Sequence, residues 1–187
     1  MKLKTLIMVG AAALFSATAV KAEHVSNWSV QDRFAYAHEG ELFLPNEFSL
    51  DAFGSYTTTG RRNFGELFTH NLRHGAFGGG LGLNYFFTKY VGIGGDVQMG
   101  DTGNRLVDST SANLILRLPL DAAHLAPYVF AGGGLQIDPR SQLLGDVGAG
   151  VDFRLNHWTG IFVDGRFIWT AKSGDYGLLR AGMRFAF

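Results

Sequence analysis

The sequence L178-L179-R180-A181-G182-M183-R184-F185-A186-F187 separates into two interleaved sets. Leu179, Ala181, Met183, Phe185 and Phe187 are apolar, while Arg180, Gly182, Arg184 and Ala186 lie between them. A period of two is the signature of a strand whose two faces meet different surroundings. The question is which face meets which.

The same period recurs upstream. Alternating segments separated by turn signals run near 48–56, 74–87, 90–101, 108–118, 126–137, 142–155 and 158–171, before a last one at 176–187. In the third, Val91, Ile93, Val97 and Met99 oppose Gly92, Gly94, Asp96 and Gln98. In the seventh, Ile161, Val163, Phe167 and Trp169 oppose Asp164 and Arg166. Eight strands are expected, with no helical period competing. Glycine, at 26 of 187 residues, is about twice as common as the usual ~7%. Apolar residues make up 47% of the chain, yet beyond residue 22 no run approaches the ~20 residues of a membrane-spanning helix.

An internal repeat strengthens this reading. LGLNYFFTKYVGIGGDV (81–97) lies over AGVDFRLNHWTGIFVDG (149–165) without a gap, at a constant offset. Gly82 falls on Gly150, Asn84 on Asp152, Tyr90 on Trp158 and Asp96 on Asp164. Each copy reads as a hairpin with an aromatic on either side of a tight polar turn. Links also alternate in length. Those after strands 2, 4 and 6 are short, whereas Thr57 to Arg73 is long and carries Arg61-Arg62. A closed up-and-down meander with short turns on one rim and longer loops on the other is the expectation.

The polar face decides the orientation. Strand by strand it carries Asp51, Asp96, Asp146, Asp152 and Asp164 against Arg117, Arg154, Arg166, Arg180 and Arg184, with no lysine. Arginine with aspartate suits short, directed ion pairs more than a wetted surface, where lysine and glutamate mix freely. These ten residues are therefore expected to fill a lumen, with the apolar face turned to lipid. Aromatic girdles are expected at the short-turn rim (Phe86, Phe87, Tyr90, Tyr128, Trp158, Phe185, Phe187) and more sparsely at the other (Tyr56, Trp169, Tyr176). Eight strands enclose only enough space for side chains, so an open pore is not expected.

Residues 1–22 read as a cleaved signal peptide, with Lys2 and Lys4 ahead of an apolar run from Leu6 to Val20. Removing its three lysines leaves thirteen bases against sixteen acids, which argues against a nucleic-acid partner. No cysteine is present, so no disulfide framework holds the fold. Residues 23–47 form a segment before the barrel, readable as a loose tail, a latch across the mouth or a short plug; the barrel itself is assigned to 48–187.

GGGLGLNYFFTKYVGIGGDVQ, APYVFAGGGLQ, GAGVDFRL and the terminal AGMRFAF resemble the small eight-stranded outer-membrane barrels of the OmpA transmembrane-domain and opacity-protein type. The resemblance covers roughly 48–187. It implies export to a Gram-negative-type outer membrane, contact with outer-membrane lipids and lipopolysaccharide, and a passage through the barrel-assembly machinery. For that machinery Phe187 would be the recognition signal. It also implies a scaffold whose outward loops carry any specificity, with Arg61 and Arg62 as candidates and a monomer as the expected state.

Enzymatic readings find little support. GGGLGLN (78–84) continues as a strand rather than opening a helix, so it is not a dinucleotide loop. His24-Val25-Ser26-Asn27 matches the letters of a His-x-Ser-Asn stretch in a lipid A deacylase family, but it precedes the first strand and lacks a positioned carboxylate. Of the six histidines, only His70 and His74 lie near ligand spacing. No catalytic, metal or cofactor site is expected. A narrow, low-conductance channel is the main rival function, with a soluble lipocalin-like carrier further behind.

Overall fold

The computed structural model describes residues 41–58, 76–100, 106–138, 141–171 and 174–187. Eight strands follow one another: β1 (Glu47–Thr58), β2 (Ala76–Phe86), β3 (Val91–Gly100), β4 (Ser109–Arg117), β5 (Leu125–Gln136), β6 (Gln142–Arg154), β7 (Thr159–Thr170) and β8 (Tyr176–Ala186). Each pairs antiparallel with the next, and β8 returns to β1, closing the barrel. Closure pairs every strand edge, so no row of unpaired backbone groups is left at a seam.

The seam runs to the end of the chain. Phe48 N donates to Phe187 O at 3.1 Å, and Phe187 N donates to Phe48 O at 2.7 Å. The two rings lie 6.5 Å apart. One single 3-10 turn, Asp121–Ala123, links β4 to β5.

The repeat is a structural one. In the β2–β3 turn, Thr88 Oγ1 accepts from the backbone N–H groups of Tyr90 and Val91. In the β6–β7 turn, Asn156 Oδ1 accepts from Trp158 and Thr159 at 2.8 and 2.9 Å. Thr88 and Asn156 are equivalent repeat positions, and both side chains supply the acceptor that a tight polar turn needs.

Burial is the reverse of that in a soluble barrel. Leu81, Leu83, Val129, Leu143, Val151, Ile161, Val163 and Met183 are exposed on the outer face. All ten charged residues expected in the lumen are in strands and face inward. Nine are below 9% exposed, and Asp96 is the tenth, with a side chain at 13%. Exposed single leucines are ordinary on soluble proteins, but a continuous apolar belt around a charged interior is not.

Two features differ from the sequence reading. β1 begins at Glu47, so this residue belongs to the barrel rather than to the preceding segment. The girdle also needs correction at three positions. Phe86 and Tyr128 are buried in the interior, and Tyr176 packs against the buried Leu144, Ile168 and Leu178. Each sits on the inward parity of its strand, alongside Asn84, Phe130 and Leu178. Phe87, Tyr90, Trp158 and Phe187 are exposed at the short-turn rim.

Candidate functional site

The lumen is where the polar side chains converge, and strand register explains how. Asp51 of β1 lies opposite Arg184 of β8, and Asp164 of β7 lies opposite Arg180 of β8. Directly opposed residues have Cβ atoms about 5 Å apart, within reach of a bidentate guanidinium–carboxylate contact. Arg184 donates from Nε and Nη2 to Asp51 at 2.8 and 2.7 Å. Arg180 donates from the same two nitrogens to Asp164, both at 2.8 Å.

The remaining pairs join strands distant in sequence. Arg117 Nη1 and Arg154 Nη2 both donate to Glu47 Oε1, at 2.9 and 2.6 Å. Arg184 Nη1 reaches Asp152 at 2.8 Å, and Arg154 also contacts Asp152 at 3.3 Å. Higher in the lumen, Asp96 bridges Arg166 and Arg180 at 2.7 and 3.1 Å, and Arg166 also meets Asp146 at 2.7 Å. Followed pair by pair, these contacts trace two alternating chains. One runs Arg117, Glu47, Arg154, Asp152, Arg184, Asp51. The other runs Asp164, Arg180, Asp96, Arg166, Asp146. Among the described residues no ion pair connects them.

Aromatic rings fill the space between the charges. Arg117 stacks on Phe86 at 3.6 Å, Arg166 lies 4.9 Å from Phe130, Arg180 lies 4.8 Å from Phe53, and Arg184 lies 5.1 Å from Phe162. A guanidinium is weakly hydrated and planar, so a ring face compensates part of its lost solvation. Tyr128 adds a phenol, donating to Asp164 Oδ2 at 2.8 Å. Gly150 opposes Asp164 across the β6–β7 pair. A Cβ there would lie 2.8 Å from Tyr128 Cζ and 2.5 Å from Asp164 Cβ, so only glycine lets the ring cross to the carboxylate.

Sequence reasoning missed Glu47 because it stands at the first residue of β1, with its partners 70 and 107 positions away. It also left Phe53, Phe130 and Phe162 unassigned. Parity was the available signal, since Phe53 shares a face with Asp51 and Phe162 with Asp164.

The short-turn mouth is closed by the residues just before β1. Phe43 is fully buried, with Arg117 and Arg154 at 5.2 and 5.0 Å from its ring. Leu42 packs with Phe43 and Ala126. The backbone N–H groups of Leu42 and Phe43 donate to Asp121 Oδ1 at 2.8 and 3.4 Å. Glu41 pairs with Lys89 at 3.4 Å, and its carboxylate raises the pKa of that ammonium above the ordinary lysine value. Of the three readings open for this segment, residues 41–46 take the form of a plug.

The loop candidates Arg61 and Arg62, His24 to Asn27, and the His70/His74 pair lie outside the described residues. Among the described residues no group of three or more His, Cys, Asp or Glu is placed to hold a metal ion.

No protein-family model matches the sequence, and no curated protein is similar to it. Solved structures do match in fold. Neisserial surface protein A superposes with a TM-score of 0.57 at 14% identity, over 75% of this chain and 97% of that one. Ail, the attachment invasion locus protein of Yersinia pestis, gives 0.55 at 16% identity, over 77% and 100%. The N-terminal β-barrel domain of Pseudomonas aeruginosa OprF gives 0.53 at 19% identity, over 77% and 99%. The fold is thus that of the small eight-stranded outer-membrane barrels.

Proposed function

We propose that this chain is an integral outer-membrane β-barrel, exported by its N-terminal signal segment, whose closed barrel is a scaffold for surface contacts made by the long-loop rim. It is not an enzyme. The observation that carries this reading is the inverted polarity of the barrel. An apolar belt surrounds eleven charged side chains, an arrangement that is favourable only when the outer solvent is hydrocarbon.

The lumen supports a scaffold over a pore, because ion pairs and stacked rings occupy it and Phe43 closes one end. Arg61 and Arg62 in the longest loop suit phosphate groups, which a guanidinium binds through two hydrogen bonds. The partners are then lipopolysaccharide phosphates or a polyanionic surface. Ail, which shares the fold, was solved in complex with the heparin analogue sucrose octasulfate, and that supports a polyanion as the partner class.

Fractionation with heated and unheated gel mobility tests the location. An outer-membrane band that shifts on heating is expected, and a band in the aqueous fraction without detergent would refute it. A narrow channel is the second reading, favoured by a small cavity within the lumen. Planar-bilayer recording separates the two: the scaffold gives no steady conductance that scales with salt, and the channel does.

A further inference from the structure

The chain enters β1 through a sharp reversal. Asn46 is in the left-handed backbone region, at φ 57°, a conformation that asparagine tolerates better than bulky or branched residues. Its side chain accepts from the Tyr85 hydroxyl at 3.2 Å, and both Asn46 and the preceding Pro45 are exposed. Residues 41–44 are thereby turned back across the short-turn mouth, as a strap that reaches the wall facing β1. There Arg117 Nη2 donates to Leu44 O at 3.3 Å, and Asp121 takes the N–H groups of Leu42 and Phe43.

The strap is fastened at its upstream end by carboxylates within reach of solvent. Glu41 pairs with Lys89, the two side chains being 29% and 34% exposed, and Asp121 is half-buried in the β4–β5 link. Beneath the strap the contacts are apolar, Leu42 and Phe43 covering Ala126. No strand pairing uses residues 41–46: β1 pairs with β2 from Glu47 and with β8 from Ser49, and the Phe48–Phe187 bonds complete the seam. The barrel is therefore closed whether or not the strap is docked, and the strap is free to leave as a unit. Lys89, its pKa raised by Glu41, keeps its proton in acid, so acid acts on the latch through the two carboxylates. Protonating Glu41 ends the ion pair, and protonating Asp121 turns a charge-assisted acceptor into a weaker neutral one. The other titratable or charged groups here are Tyr90, His124 at the end of the Asp121 turn, and, behind the strap, Arg117, Arg154 and Glu47.

We propose that residues 41–46 are an acid-released lid on the short-turn mouth, hinged at Pro45–Asn46 and latched by Glu41–Lys89 and Asp121. When the two latch carboxylates are protonated the strap swings out, uncovering Ala126 and the guanidiniums of Arg117 and Arg154, while the eight strands stay paired. The side that this mouth faces, the periplasm, rests on the outer-membrane reading, which fractionation decides separately.

Ala126 is fully buried beneath Leu42 and Phe43, so Ala126→Cys reports opening. Ser49→Cys, at the next inward position of β1 after Glu47 and also fully buried, is the second reporter if the first does not fold. Each is placed in the full chain, in detergent micelles, and treated with a water-soluble methanethiosulfonate. Labelling rates are divided by that of free cysteine at the same pH. Slow labelling at neutral pH and labelling about tenfold faster in acid are expected, since one lost charge-assisted bond is worth about that factor. The double variant Glu41→Gln, Asp121→Asn should label at the fast rate at neutral pH, with the heat-dependent gel shift kept throughout. Labelling no faster in acid than at neutral pH would overturn the proposal, as would acceleration that appears only with loss of the gel shift. A fast rate in acid with a slow rate in the double variant would overturn it too, because acid would then be acting through the lumen carboxylates.

Discussion

Arg166 is bonded to two acids whose dependence on it differs. Asp96 also has Arg180, whereas Arg166 is the one guanidinium within ion-pair distance of Asp146 among the described residues. Arg166→Ala thus leaves one buried carboxylate without its counter-charge. The expected loss is about 3 kcal/mol, since breaking a buried pair costs more than the pair itself contributes. Reversible urea unfolding from phospholipid vesicles measures it. Adding Asp146→Asn should recover part of the loss, and a double variant as unstable as the sum of the single ones would argue against a coupled pair. At this scale the sequence revealed which acids and bases share a face, but not how they pair. Pairing depends on register and barrel tilt, which bring Glu47 to Arg154 across 107 positions. Phe86 and Tyr128 were misplaced for a different reason: aromatics near a rim suggest a girdle, and only strict parity reveals that they point inward.

At the level of elements, strand positions were the most legible feature. All eight observed strands begin and end within two residues of the alternating segments, because two contrasting environments force a clean period of two. The repeat was also legible, and its equivalent Asp96 and Asp164 each accept from Arg180. The plug was not, since residues 41–46 have no period and their partners are scattered over three strands and two turns, at Arg117, Ala126, Arg154, Asp121 and Lys89. Phe43→Ala empties a fully buried site between two guanidiniums and should cost about 3 kcal/mol, read in the same unfolding assay. Phe43→Leu should cost less. If both variants were neutral, the plug would be an accessory to the barrel rather than part of its closure.

For the whole molecule, the account requires the outer belt to face acyl chains. Val163 is 60% exposed near the middle of β7, opposite Val151 and Ala181. Val163→Arg should destabilise the barrel by roughly 2–4 kcal/mol in a bilayer, the cost of a cation near the midplane. A soluble barrel would tolerate an arginine there with little change.

The absence of native cysteine permits the most direct test. A fluorophore attached to Val163→Cys in lipid vesicles is compared with one on the inward-facing Ser55→Cys, using phospholipids brominated along the chain. The account predicts strong quenching at position 163 by bromine near the bilayer centre and weak quenching at position 55. A label at 163 that escapes brominated lipid and is quenched by aqueous iodide would contradict it.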